Sequence, residues 1–93
     1  MLTPEELYNI GKQEREATFA KEMEDFEKVL IRKARKGIKK VHVPAPKIKG
    51  LFYYDERQET FASYLKDRGF NVRKEVEVIG GVRQEPEWYL YLY

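Results

Sequence analysis

Two stretches decide the fold: Phe70-Asn71-Val72-Arg73-Lys74-Glu75-Val76-Glu77-Val78-Ile79 and Trp88-Tyr89-Leu90-Tyr91-Leu92-Tyr93, joined through Gly80-Gly81. The first alternates, with Phe70, Val72, Val76 and Val78 on one side and Asn71, Arg73, Glu75 and Glu77 on the other. Such alternation is the mark of a half-buried strand. The second is apolar or aromatic at every position, which suits a strand covered on both faces. A two-residue turn at Gly80-Gly81 would put Tyr89 and Tyr91 on the face of Val72 and Phe70. A single bulge reverses this, because a one-residue slip exchanges the faces. Pro86 is the natural place for a bulge, since strand prolines are confined to edges and bulges. The expected register therefore turns Trp88, Leu90 and Leu92 toward the core beneath a helix. Tyr89, Tyr91 and Tyr93 form a stripe on the opposite face.

Working back from this hairpin, Asp55 with Gln58 three residues on predicts a helix that buries Phe61, Ala62 and Leu65 and ends at Gly69. Phe70 follows that glycine, placed to touch Leu65 as in a Schellman cap. Before it, Leu51-Phe52-Tyr53-Tyr54 reads as the return of the chain to the core, and Lys47 to Gly50 as an exposed loop. Ile38 to Val43 predicts a short strand with Val41 and Val43 on one face, closed by Pro44-Ala45-Pro46.

At the N-terminal end, Thr3-Pro4-Glu5-Glu6 opens a helix, with Thr3 as cap and Pro4 at the first helical position. Its apolar stripe is Phe19, Met23, Phe26, Leu30 and Ala34, and Gly37 ends it. Unbroken from residue 4 to 36, it would be roughly 50 Å long. A compact domain of this size has a radius of gyration of only ~12–13 Å. The sequence thus predicts either a bend around Gly11 to Glu16, making residues 1–16 a separate or bent arm, or a projecting end packed on a partner in a homodimer.

The fold class is α+β: one domain over residues 1–93, with a long first helix followed by β-α-β-β. With the doubly apolar last strand central, the sheet is three-stranded and antiparallel in order 1-3-2. Helix 1 is expected to cover the tyrosine face.

The absence of cysteine excludes a disulfide framework, a thiolate zinc site and a cysteine nucleophile. No signal peptide or membrane-length apolar run is evident, so a soluble cytoplasmic protein is expected. The net charge of +2 conceals a segregation: residues 1–31 carry −4, residues 32–49 carry +8 and residues 50–93 carry −2. The basic island comprises Arg32, Lys33, Arg35, Lys36, Lys39, Lys40, Lys47 and Lys49. It reads either as a solvated helix end complementing the helix dipole, or as a contact for nucleic acid or acidic protein. Exposed tyrosines beside a basic patch can stack bases, which makes Tyr89, Tyr91 and Tyr93 a candidate contact. Ring packing in a core or interface is the competing reading.

His42 is the single histidine and lacks the companions of a usual zinc site. The run from Gly69 to Glu77 superficially resembles the core of restriction-endonuclease-like nucleases. Glu77 is followed by Val78 and Ile79, however, so the lysine of their Glu-x-Lys is missing. Gly80-Gly81 lacks the companions of a phosphate loop. No enzyme and no cofactor or metal are expected.

A helix ending Ala34-Arg35-Lys36-Gly37, a short strand, a helix ending Leu65-Lys66-Asp67-Arg68-Gly69-Phe70 and a closing aromatic hairpin together resemble small accessory proteins of bacteriophages. The resemblance spans residues 28 to 93 and rests on capping glycines and apolar periodicity. It implies a non-enzymatic inhibitor or regulator that binds a host factor. The alternative is a small nucleic-acid-binding domain using the basic island.

Overall fold

The computed structural model describes residues 2–93. The chain runs α1 (Pro4–Arg35), β1 (Lys40–His42), α2 (Tyr54–Asp67), β2 (Asn71–Glu75), β3 (Val78–Ile79), β4 (Val82–Arg83) and β5 (Glu87–Tyr91). β1, β5 and β2 form an antiparallel sheet in that spatial order, and β3 and β4 form a separate two-stranded hairpin. The α+β class and the central position of the last strand are as the sequence predicts.

The register is also as expected, and the cause is visible. Val78 pairs with Arg83 in the hairpin, and Glu75 pairs with Glu87 in the sheet. Between those pairs, residues 76–77 face residues 84–86, so one strand carries one extra residue across Pro86. The Gln84 amide closes the bulge by donating to the Glu77 carbonyl at 2.8 Å. That extra residue sets Leu90 opposite Val72 on the core face, with Tyr89 and Tyr91 opposite Arg73 and Asn71. The continuous strand expected over Phe70 to Ile79 is interrupted here. Val78, Ile79 and Val82 leave the sheet on the hairpin and are exposed.

One core lies between the helices and a single face of the sheet. It contains Phe19, Met23, Phe26 and Leu30 of α1, Phe61, Ala62 and Leu65 of α2, and Val41, Val43, Val72 and Leu90. α2 lies across β2 and β5. α1 joins through its large side chains: the Phe19 ring is 5.7 Å from that of Phe61 and 5.0 Å from that of Tyr64, and Phe26 stands edge-on to Phe61 at 5.9 Å. Helix 1 therefore packs beside helix 2 and leaves the tyrosine face open. The last strand is central in the sheet yet covered on one side only.

Both helices end in Schellman caps. The Gly69 amide donates to the Lys66 carbonyl and the Phe70 amide to the Leu65 carbonyl. Gly69 has φ +94°, which a residue with a Cβ adopts only with strain. At α1, Gly37 and Ile38 repeat the arrangement on Ala34 and Lys33.

Three local expectations are corrected. Ile48, within the stretch expected to be an exposed loop, is buried in the core. A turn with Gly50 at φ +90° folds Leu51 back on Ile48 and carries both side chains inward. Phe52 and Tyr53, expected inside, point outward at 88% and 71% exposure. α2 begins at Tyr54 with no side-chain cap, so Asp55 does not open it. Gln58 is instead drawn into the core, where its amide donates to the Val43 carbonyl at 2.9 Å and satisfies a group beyond the end of β1.

α1 is one helix with no break at Gly11 to Glu16. Thr3 caps it, its hydroxyl accepting from the Glu6 amide at 3.2 Å. Residues 4–17 stand in solvent, and burial begins at Phe19. The projecting end expected as the alternative to a bend is the arrangement present. It stretches the molecule to 57 Å and the radius of gyration to 15.5 Å.

Candidate functional site

The open face of the sheet is a polar lattice. Lys40 of β1 reaches Glu75 at 3.0 Å and Glu77 at 3.4 Å, and its ammonium lies 4.1 Å from the centre of the Tyr89 ring. The Tyr91 hydroxyl donates to Glu75 and the Tyr89 hydroxyl to Glu77. Arg73 covers the Tyr91 ring at 5.1 Å. Each charge answers its neighbours. The Glu75 carboxyl is held below its usual value by the Tyr91 hydroxyl and then by Lys40. The hydrogen bond to Glu75 raises Lys40, and the same carboxylate raises Tyr91. Burial, and then Glu77, pushes Tyr89 up.

At one edge of this face His42 Nε2 lies 2.6 Å from Glu87 Oε2, 3.2 Å from the Gln58 amide nitrogen and 3.4 Å from the Tyr54 hydroxyl. Its ring stands edge-on to Tyr89. This pairing escaped the sequence reading, which assigned His42 no partner. The turn at Gly80-Gly81 constrains how β2 meets β5, but nothing local constrains how β1 meets β5. The set offers one imidazole–carboxylate pair. The neighbouring cleft, bordered by Asp55, Gln58, Lys74, Glu85 and Trp88, is about 80 Å³, well under the roughly 300 Å³ at which small-molecule sites begin. Among the described residues no three His, Cys, Asp or Glu side chains are placed to hold a metal ion.

The basic island does not stay together. Arg32, Lys33, Arg35 and Lys36 occupy the last turn and cap of α1, and Lys39 follows, 5.9 Å from the centre of the Tyr93 ring. Lys40 is turned onto the sheet face and paired with Glu75 and Glu77. Lys49 borders the same groove as Thr18, in the middle of α1, and Lys47 precedes it in the same loop. Thr18 and Arg32 are roughly 20 Å apart along the helix at 1.5 Å per residue. Eight cations adjacent in sequence thus become a group of five, a neutralised lysine and a distant pair.

The tyrosine stripe is likewise divided. Tyr89 and Tyr91 are half-buried among carboxylates, while Tyr93 is exposed and donates to the Gly37 carbonyl at 2.9 Å. With Glu75, Glu77 and Glu87 on the same face, a phosphate approaching those rings meets like charge.

Apolar side chains stand in water on the β3–β4 hairpin, at Val78, Ile79 and Val82, and on the projecting half of α1, where Leu7, Tyr8 and Ile10 are 55%, 70% and 50% exposed. A groove of about 370 Å³ runs along its base, between Gly11, Glu14, Arg15 and Thr18 on one side and Ile48 and Lys49 on the other. Phe52 and Tyr53 follow that wall in the chain. The missing signal was the Gly50 turn, which brings Ile48 to α1 and turns the two aromatics away.

Comparison with family models, with curated proteins and with solved structures finds no match to this chain. No helix among the described residues is long and apolar enough to cross a membrane.

Proposed function

We propose that this is a non-enzymatic interaction protein, a phage-type regulator or inhibitor that binds a host protein through the projecting half of α1. The observation that carries the reading is the exposure of Leu7, Tyr8 and Ile10 on fourteen helical residues, 4–17, all of which are exposed. An amphipathic helix that presents apolar side chains to water is completed by seating them in a partner's groove. The polar lattice on the sheet supports a structural role for its charges, because Lys40, Glu75, Glu77, Tyr89 and Tyr91 already satisfy one another. Nucleic acid is the alternative ligand, and Arg32, Lys33, Arg35, Lys36 and Lys39 are the cations left to it.

The test immobilises the full chain and a Leu7→Glu/Ile10→Glu variant and challenges both with bacterial lysate, with and without nuclease. A protein retained by the wild type after nuclease and lost with the variant is the expected result. No retained protein, retention abolished by nuclease, or equal retention by the variant overturns the reading.

A further inference from the structure

We propose that the far end of α1 binds single-stranded nucleic acid, with Arg32, Lys33, Arg35, Lys36 and Lys39 meeting phosphates and the Tyr93 ring stacking on a base. This goes beyond the protein contact proposed for the arm and does not compete with it. Arg32 stands roughly 33 Å from Ile10 along the helix at 1.5 Å per residue, so both ligands can be held at once.

The charge at this end exceeds what the fold needs. Between Lys28 and Tyr54 the chain carries no acid. Arg32, Arg35, Lys36 and Lys39 are exposed, Lys33 is half-buried, and among the described residues none of the five forms an ion pair. The negative end of a helix dipole amounts to about half an elementary charge, which offsets at most one of the five. Lys40, next in sequence, shows the other outcome, since Glu75 and Glu77 neutralise it. Five like charges gathered at one helix end repel one another, and an anionic chain relieves that repulsion.

The carbonyls that would repel a phosphate at a helix C-terminus are occupied. Those of Lys33 and Ala34 accept from the Ile38 and Gly37 amides, and that of Gly37 accepts from the Tyr93 hydroxyl at 2.9 Å. This last bond also favours one class of anion. It holds the Tyr93 ring at the helix cap, and the Leu92 amide ties the preceding residue to the Lys39 carbonyl at 2.8 Å. The ring is nevertheless 71% exposed, with the Lys39 ammonium 5.9 Å from its centre. A ring fixed at its hydroxyl and open on its face is ordered before a ligand arrives, so stacking costs it little rotamer freedom. Unpaired bases offer such a ring a flat partner, whereas in a duplex they are stacked on one another. Glu24, Asp25 and Glu27 lie about one to two turns before Arg32. They confine the strand to a path across the helix end, from the cations onto Tyr93.

Fluorescence anisotropy of labelled oligo(dT) and oligo(U), each of about twelve nucleotides, with the purified full chain tests this. Dissociation constants of ~1–100 µM are expected at physiological salt. Five phosphate contacts should weaken binding about 130-fold between ~50 and ~200 mM salt, at a slope of about 0.7 per phosphate on single strands. Arg35→Gln/Lys36→Gln should reduce that span to about 20-fold. Tyr93→Ala should weaken binding at least ~5-fold at every salt concentration and leave the slope as it is, with circular dichroism showing both variants folded. Both oligonucleotides should bind, and the tighter of the two identifies the sugar of the natural strand. No binding, a duplex bound as tightly as a single strand, or unchanged affinity in Tyr93→Ala overturns the proposal. So does displacement of the strand by poly-glutamate of equal charge, which would assign the cations to an acidic protein. The oligonucleotides are synthetic, so the outcome is separate from lysate capture. Capture without strand binding overturns this proposal alone, and strand binding without capture overturns the arm reading alone.

Discussion

The two halves of α1 belong to one uninterrupted helix and are held by different forces. From Phe19 onward, Phe19, Met23, Phe26 and Leu30 are buried against α2 and the sheet. Residues 4–17 have no such support. They keep their helix through the Thr3 cap, Pro4 at the first position, Glu5 and Glu6 at the positive end of the dipole, and continuity with a half already folded. An isolated helix of about 12–15 residues is marginal in water, so continuity removes the nucleation cost that would otherwise defeat the arm. Tertiary packing thus builds half of the helix, and that half supplies the template for the rest.

The sharpest way to break this comparison is to truncate matched side chains in the two halves. Phe26→Ala removes a ring in contact with Phe61 and should cost about 3–5 kcal/mol, a large share of the roughly 5–15 kcal/mol available to a whole domain. Leu7→Ala and Ile10→Ala should each change stability by no more than about 0.5 kcal/mol. Urea midpoints compare all three. A cost at Leu7 similar to that at Phe26 would mean that the arm packs on its own chain.

A second contrast uses pH, because the packed half shares its fold with a charged lattice and the arm does not. Glu75 titrates below its ordinary 4.5, held down by Tyr91 and Lys40, so its contribution is present above pH 4.5 and is lost as pH falls through the lowered value. Lys40 and Tyr91 are raised from 10.5 and 10.0, so their contributions are present below those values and are lost as pH rises through the raised ones. Stability of the packed body should therefore form a plateau between these limits and fall at both ends. Glu75→Gln should flatten the acid limb in denaturation midpoints measured from pH 2 to 7, and an unchanged limb would remove Glu75 as its source.

How far these features were legible depends on their range. The cap at Gly69-Phe70 and the inward set of Phe61, Ala62 and Leu65 follow from spacing within one turn. The faces of β5 follow from parity once Pro86 is given a bulge. The choice of face for α1 did not, because the rings of Tyr89 and Tyr91 offer a helix as large a packing surface as Leu90 does. Their hydroxyls reach Glu77 and Glu75, and that polar satisfaction lets their side of the sheet stay open while Phe19 and Phe26 find Phe61. The dispersal of the basic island was hidden for a similar reason. Residues 44–50 reverse the chain, so Lys49 borders a groove at Thr18 instead of joining Arg35. The arm and its groove were half visible: length forced a choice between bend and projection, but the wall at Ile48 depends on a contact about thirty residues away in the chain.

The mildest perturbation addresses how much of the arm's order is its own. Thr3→Ala removes the hydroxyl that accepts from the Glu6 amide and should weaken the first turns by about 0.5–2 kcal/mol. In a helix stabilised from its C-terminal side, that loss should stay local. Amide exchange should quicken over residues 6–12 while residues 23–30 keep their protection, and the urea midpoint should not move. If Thr3→Ala instead shifted the global midpoint, the first turn would be part of the cooperative unit, and the division of α1 into a packed half and a templated half would fail.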